Sequence, residues 1–199
     1  SVFIVAYGTE FFIQLSQGND PSLEVYVTNY AITGAQIKQT AIMFFFISMV
    51  GNIINVGMEE GIFRGFMMKL LETKDSFIAA VIFSSFLFGI WHIAAPIRSL
   101  LDGEMSTSGA IMAALMLTLT AGITGAKFAL LVKITGSLWM PMADHFVNNT
   151  VINILHVATT TGVDEMQVIR ISIAQSISFI VVLIIYWKTR AHGKPTFRG

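Results

Sequence analysis

The stretch Ile37–Leu71 is mostly apolar, contains no proline, and holds Met58-Glu59-Glu60-Gly61-Ile62-Phe63-Arg64 in its second half. About 35 residues would form one helix of roughly 50 Å at 1.5 Å per residue, against a hydrocarbon core of about 30 Å. The helix is therefore expected to tilt strongly or to break near Gly51 or Gly57, and we favour a break. Two adjacent carboxylates and an arginine in such a setting are expensive, at about 2.5–3.5 kcal/mol per charge at a helix centre. A chain that keeps three charges together there is expected to use them.

The rest of the sequence agrees with a membrane setting. Of 199 residues, 54% are hydrophobic and only 12% charged, about half the charge of an average soluble domain. A soluble chain of this length would need more polar residues to cover one core. The expected fold is all-α, a polytopic transmembrane bundle of about six to seven helices, with residues 1–199 as a single membrane-embedded domain. Formal net charge is zero, so a nucleic-acid partner has no electrostatic support. Absence of cysteine excludes disulfides, thiolate nucleophiles and Cys-based metal sites. The chain begins at Ser1 without a methionine, so an upstream segment is expected to be missing. No basic region precedes the first stretch to make it a cleavable signal.

Six apolar stretches stand out: Val2–Leu15, interrupted by Glu10 and short for a full span; Ile37–Val56 continuing to Leu71; Phe77–Ala95; Gly109–Val132; Ser137–Val157; and Met166–Trp187. A polar loop, Ser16–Gln36, follows the first, and Pro96 closes the third. Gly122 and Gly125 are small enough to let helices approach closely. With alternating crossings, Lys69, Lys74, Lys133, Lys188, Arg190, Lys194 and Arg198 fall on one side. By the excess of basic residues in cytoplasmic connections, that side and the C-terminus are expected to be cytoplasmic.

Three polar groups lie within these apolar stretches. Glu60 and Arg64 are four residues apart, so they can pair on one helix face, while Glu59 is turned about 100° away. Desolvation raises the pKa of such a buried carboxylate and suits it to take a proton from water. Left to itself, the trio also fits a charge cluster at a helix end among headgroups. Phe88 and His92 share a face, so the ring can buttress the imidazole, although a histidine beside Trp91 and near Pro96 also fits an interfacial position. His145 and Asn149 share a face as well. Two donors aimed at one point can stabilise the oxyanion of a tetrahedral intermediate, at about 2.7–4 kcal/mol for one donor. They also fit interhelical hydrogen bonding within a bundle.

Taken together, Glu59-Glu60…Arg64, Phe88…His92 and His145…Asn149 resemble the ordered motifs of the CPBP family. That family includes the type II CAAX prenyl endopeptidases and bacterial bacteriocin-processing and self-immunity proteins. The resemblance covers roughly residues 57–155. It implies an intramembrane endopeptidase in which Glu59 with His92 activates the attacking water. His145 and Asn149 would form the oxyanion site, and Glu60 with Arg64 would organise the helix. The resemblance leaves metal dependence open. Glu59, His92 and His145 could supply three zinc ligands with one position left for water. The compact His-Glu-x-x-His signature is absent, and we favour a glutamate-based mechanism without a tightly held ion.

The expected partners are membrane lipid, a membrane-associated peptide or protein substrate, and a partner membrane subunit; a bacterial cell membrane is the expected location. Two other classes stay open: a non-catalytic immunity or partner-binding membrane protein, and a proton-coupled transporter, which would ordinarily show repeat symmetry that is not visible here. His156, about 16 Å along a continuous helix from His145, is expected at the membrane surface, and His192 is expected to be solvated in the basic tail.

Overall fold

The computed structural model describes residues 2–28 and 38–191. The expectations for Ser1, the end of the Ser16–Gln36 loop, His192, Lys194 and Arg198 lie outside the described residues. The helices are α1 (Val2–Ser16), α2 (Ile42–Glu60), α3 (Met68–Glu72), α4 (Phe77–Trp91), α5 (Ala94–Leu101), α6 (Thr107–Thr135), α7 (Trp139–Ile154) and α8 (Gln167–Ala191). A π-helical segment, π1 (Gly61–Met67), joins α2 to α3. Four short strands complete the described residues: β1 (Ser22–Val25), β2 (Val27–Thr28), β3 (Lys38–Gln39) and β4 (Leu155–Ala158).

The all-α membrane class holds. Four continuous helical stretches, Ile42–Glu72, Phe77–Leu101, Thr107–Thr135 and Gln167–Ala191, are long and apolar enough to cross a membrane. Helices α1 and α7, with 15 and 16 residues, fall short of the ~20 residues a span needs. Among the described residues, then, six helical segments include four long spans.

The expected break at Gly51 or Gly57 is not there. The chain stays helical from Ile42 to Glu72, and the irregularity falls later, where the backbone widens into π1 immediately after the paired glutamates. A widened helix keeps its backbone groups hydrogen-bonded in lipid, which an interruption would not.

The chain divides into two compact units. The first takes the chain up to Met58 together with Met142–Ala174, and the second takes Glu59–Pro141 together with the chain from Gln175. In the second unit, Ser76 and Ser106 start α4 and α6, each side chain accepting from a backbone N–H three residues on. Gly136 ends α6 in the left-handed region at φ 67°, a conformation glycine adopts without penalty. A Cβ on Gly89 would lie 2.4 Å from the Thr118 carbonyl oxygen, so α4 and α6 meet there backbone to backbone. Apolar clusters form around Phe63, Phe88 and Ala121, around Met68, Ala80 and Ala129, and around Leu130, Val182 and Tyr186. Lys127 is fully buried and donates to Gln175 at 2.8 Å.

In the first unit, β1 pairs antiparallel with β4, Glu24 opposite His156. The helix that was expected to run to Val157 therefore stops at Ile154 and the chain becomes extended. His156 is thus carried by β4 and not by a continuing helix, and it is 3% exposed. Its Nδ1 bonds Asp164 Oδ2 at 2.5 Å and its Nε2 bonds the Tyr26 carbonyl at 3.2 Å. The ring stacks on Tyr26 with centroids 3.9 Å apart. Asp164 sits at φ 55°, a left-handed conformation that aspartate tolerates better than most residues. Its carboxylate also takes Arg170 at 2.7 Å, and Arg170 in turn bonds Glu10 at 2.5 Å. Burial would raise the Asp164 carboxyl, but hydrogen bonds from His156, Arg170 and the Val157 N–H hold it below its ordinary value.

Candidate active site

The Glu-Glu-x-x-x-Arg motif sits at the junction of α2 and π1. Widened helical turns are frequent at functional sites because they change the direction of side chains within an otherwise regular helix. Glu59 is 5% exposed, and Glu60 and Arg64 are fully buried. Arg64 Nη1 donates to Glu60 Oε1 at 3.2 Å, as the four-residue spacing anticipates. The remaining Arg64 nitrogens, Nε and Nη2, have no hydrogen-bond partner among the described residues. Aromatic faces surround the guanidinium instead: Phe88 at 4.1 Å, Phe128 at 5.2 Å and Phe63 at 5.9 Å. Each desolvated cation–π contact can contribute up to about 2 kcal/mol. Gly125 completes this cage, since a Cβ there would lie 2.6 Å from Arg64 Nη2. The expected close approach thus occurs at Gly125, whereas Gly122 makes only ordinary contact with the Ser85 carbonyl.

His92 is tied to the same cage. Its ring lies 4.7 Å from that of Phe88, which itself packs on Arg64 and, edge-on, on Phe63 at 5.1 Å. His92 Nδ1 lies 2.8 Å from the Phe88 carbonyl. A carbonyl only accepts, so Nδ1 carries the proton. In that tautomer Nε2 is the nitrogen left to face a substrate or water. Glu59, Glu60, Arg64 and His92 all belong to the second unit.

His145 and Asn149 belong to the first unit. His145 is 4% exposed, Asn149 is half-buried, and both lie on α7. The neighbouring Asn148 is also buried and Asp144 half-buried, so α7 carries the polar stripe its sequence implies. Asn52 of α2 was not anticipated. It donates to the Phe146 carbonyl and to Thr150 Oγ1, both at 3.0 Å. A further part of the structure not foreseen from sequence is the Glu10–Arg170–Asp164–His156 cluster. Its available signal was one acidic residue in the first apolar stretch and one arginine in the last, each needing a counter-charge.

Among the described residues there is no group of three or more His, Asp or Glu side chains that could hold a metal ion. In the second unit an apolar cavity of about 730 Å³ opens between α4 and α6, lined in part by Ser85, Phe86, Ile90, Ile93 and Thr118. Ile93 directly follows His92.

The family model of type II CAAX prenyl endopeptidase Rce1-like proteins matches residues 39–151, a span that includes all three motifs. The chain belongs to this family. It is 31% identical over 166 residues to the "Putative membrane peptidase YdiL" of Bacillus subtilis (strain 168), a match covering 79% of the chain and 58% of that protein. The chain thus corresponds to less than two thirds of that relative's length. No solved structure matches it.

Proposed function

We propose that this chain is an intramembrane endopeptidase that hydrolyses a peptide bond of a membrane-associated peptide or protein. What supports this reading is the buried Glu59-Glu60 pair at a π-helical turn, with Arg64, bonded to Glu60, packed on Phe88, the ring that His92 also packs on. Glu59 accepts a proton from water, with the free Nε2 of His92 orienting that water. The hydroxide adds to the peptide carbonyl carbon. The resulting oxyanion is held by N–H donors of His145 and Asn149, and the intermediate collapses as Glu59 returns the proton to the leaving amine. Glu60 and Arg64 act by fixing the helix that presents Glu59. The apolar cavity beside His92 accommodates the greasy flank of the substrate. We further place the protein in a bacterial cell membrane with its C-terminus cytoplasmic, on the distribution of Lys and Arg.

The test is cleavage of membrane peptides by detergent-purified protein, read by mass spectrometry. Glu59→Gln should lower kcat by about 10²–10⁴-fold, the range for a general base, without changing thermal stability comparably. Full turnover in Glu59→Gln would overturn the proposal. Retention of a cellular effect by the inactive variant would point to a scaffold, and proton movement in sealed vesicles to a transporter.

A further inference from the structure

We infer that Asn52 is a positioning residue for this reaction, fixing the register of α7, the carrier of His145 and Asn149, against α2 within the first unit. The inference rests on the protease proposal above. Its structural basis is one side chain. Asn52 Nδ2 donates to the Phe146 carbonyl and to Thr150 Oγ1, and each of these acceptors directly follows one of the two proposed oxyanion residues. The backbone carbonyl can only accept, which assigns Nδ2 to that side and leaves Oδ1 on the other. The Thr150 hydroxyl also reaches Met49 Sδ at 3.9 Å. From Met49 to Asn52 the contacts on α7 step back from Thr150 to Phe146, so α2 and α7 run antiparallel here.

Asn52 and Glu59 belong to the same helix. Between Asn52 and Glu60, α2 is an unbroken α-helix. Seven residues separate Asn52 from Glu59, about 10.5 Å along the axis and within about 20° of two full turns. Asn52, Val56 and Glu59 are 7%, 3% and 5% exposed, whereas Ile53 and Ile54 are at least 60% exposed. Asn52 and Glu59 thus occupy one buried stripe. A hydrogen-bonded clamp at Asn52 sets both the rotation and the height of α7 relative to the Asn52 turn of α2. Simple packing would not require an amide. Asn52 Oδ1 is buried without a hydrogen-bond partner among the described residues, and a leucine would fill the space without that penalty. What the amide supplies is direction: two bonds on consecutive turns of α7 fix a register that an apolar contact leaves free to slide. Displacement of a catalytic group by about 1 Å is enough to reduce turnover by about 10²-fold.

The experiment compares Asn52→Leu, Thr150→Val and His145→Ala, singly and in combination, in the peptide-cleavage assay with melting temperature measured in parallel. Asn52→Leu should lower kcat about 10–100-fold with KM within about two-fold of wild type. Thr150→Val, which keeps shape and removes one of the two acceptors, should lower kcat by a smaller factor. It also serves as the test should Asn52→Leu fail to fold. Adding Asn52→Leu to His145→Ala should reduce kcat by less than about three-fold further, because the clamp acts through α7. Asn52→Leu or Thr150→Val with wild-type kcat would overturn the inference, as would full multiplication of the Asn52 and His145 effects. If Glu59→Gln also retained activity, the protease proposal itself would be at fault; if Glu59→Gln is inactive, only the role of Asn52 fails.

Discussion

Removing the guanidinium of Arg64 isolates what the charge trio contributes to the fold. In Arg64→Met the side chain remains long and apolar, and its sulfur can still lie against Phe63, Phe88 and Phe128, so most of the packing is kept. What is lost is the positive charge paired with the fully buried Glu60 and acting electrostatically on both Glu60 and Glu59. Breaking a buried pair by removing one partner costs about 3–5 kcal/mol, because the other charge is left in a low dielectric. For a chain of this size that corresponds to a fall in Tm of about 6–20 °C at 2–4 °C per kcal/mol. Glu60→Gln should cost less, since the amide can still accept from Arg64 and the guanidinium keeps its aromatic faces and the charge of Glu59. The double variant, Glu60→Gln with Arg64→Met, should be more stable than Arg64→Met alone, by about 0.5–3 kcal/mol. Intrinsic-tryptophan thermal unfolding in detergent measures all three. A Tm for Arg64→Met within about 2 °C of wild type, or a double variant less stable than Arg64→Met, would refute the account of the trio as a mutually neutralising buried group.

Two further perturbations probe other parts of the structure. Gly89→Ala would drive a methyl to 2.4 Å from the Thr118 carbonyl and should destabilise by about 1–3 kcal/mol through overpacking. Gly51→Ala, with open space around it, should stabilise α2 by about 0.5–1 kcal/mol; equal effects of the two substitutions on Tm would contradict the close α4–α6 approach. Asp164 is held below its ordinary pKa, so its carboxylate stabilises the fold above the unfolded value of about 3.9 and that stability is lost as pH falls through the lower folded value. The Tm difference between wild type and Asp164→Asn should therefore be large at neutral pH and shrink below about pH 4; a difference that stays constant to pH 3 would remove charge as the reason.

Much of this protein could be read locally. The apolar stretches locate the long helices because a membrane span is decided by the composition of about 20 consecutive residues. The Glu60–Arg64 pair and the Phe88–His92 contact follow from four-residue spacing on a helix, and both occur as the spacing implies. The roles of Glu59, His145 and Asn149 came from motif order and belong to the proposed function. Other expectations failed for a physical reason. The length of Ile37–Leu71 pointed to a break near Gly51 or Gly57, but a helix in lipid keeps its backbone hydrogen bonds, and the irregularity appears as π1 after Glu60. The helix expected to run to Val157 ends at Ile154.

Sequence alone determined the membrane class, the long spans and the order of the three motifs, since each depends on hydropathy or on neighbours within a turn of helix. Tertiary structure alone decided which distant partners those elements meet. Asn52 finds Phe146 across 94 positions and Arg170 finds Glu10 across 160. Such partnerships join side chains that have no periodic relation in the chain. A buried amide or charge must find some partner in a low dielectric, and only packing in three dimensions selects which one it finds.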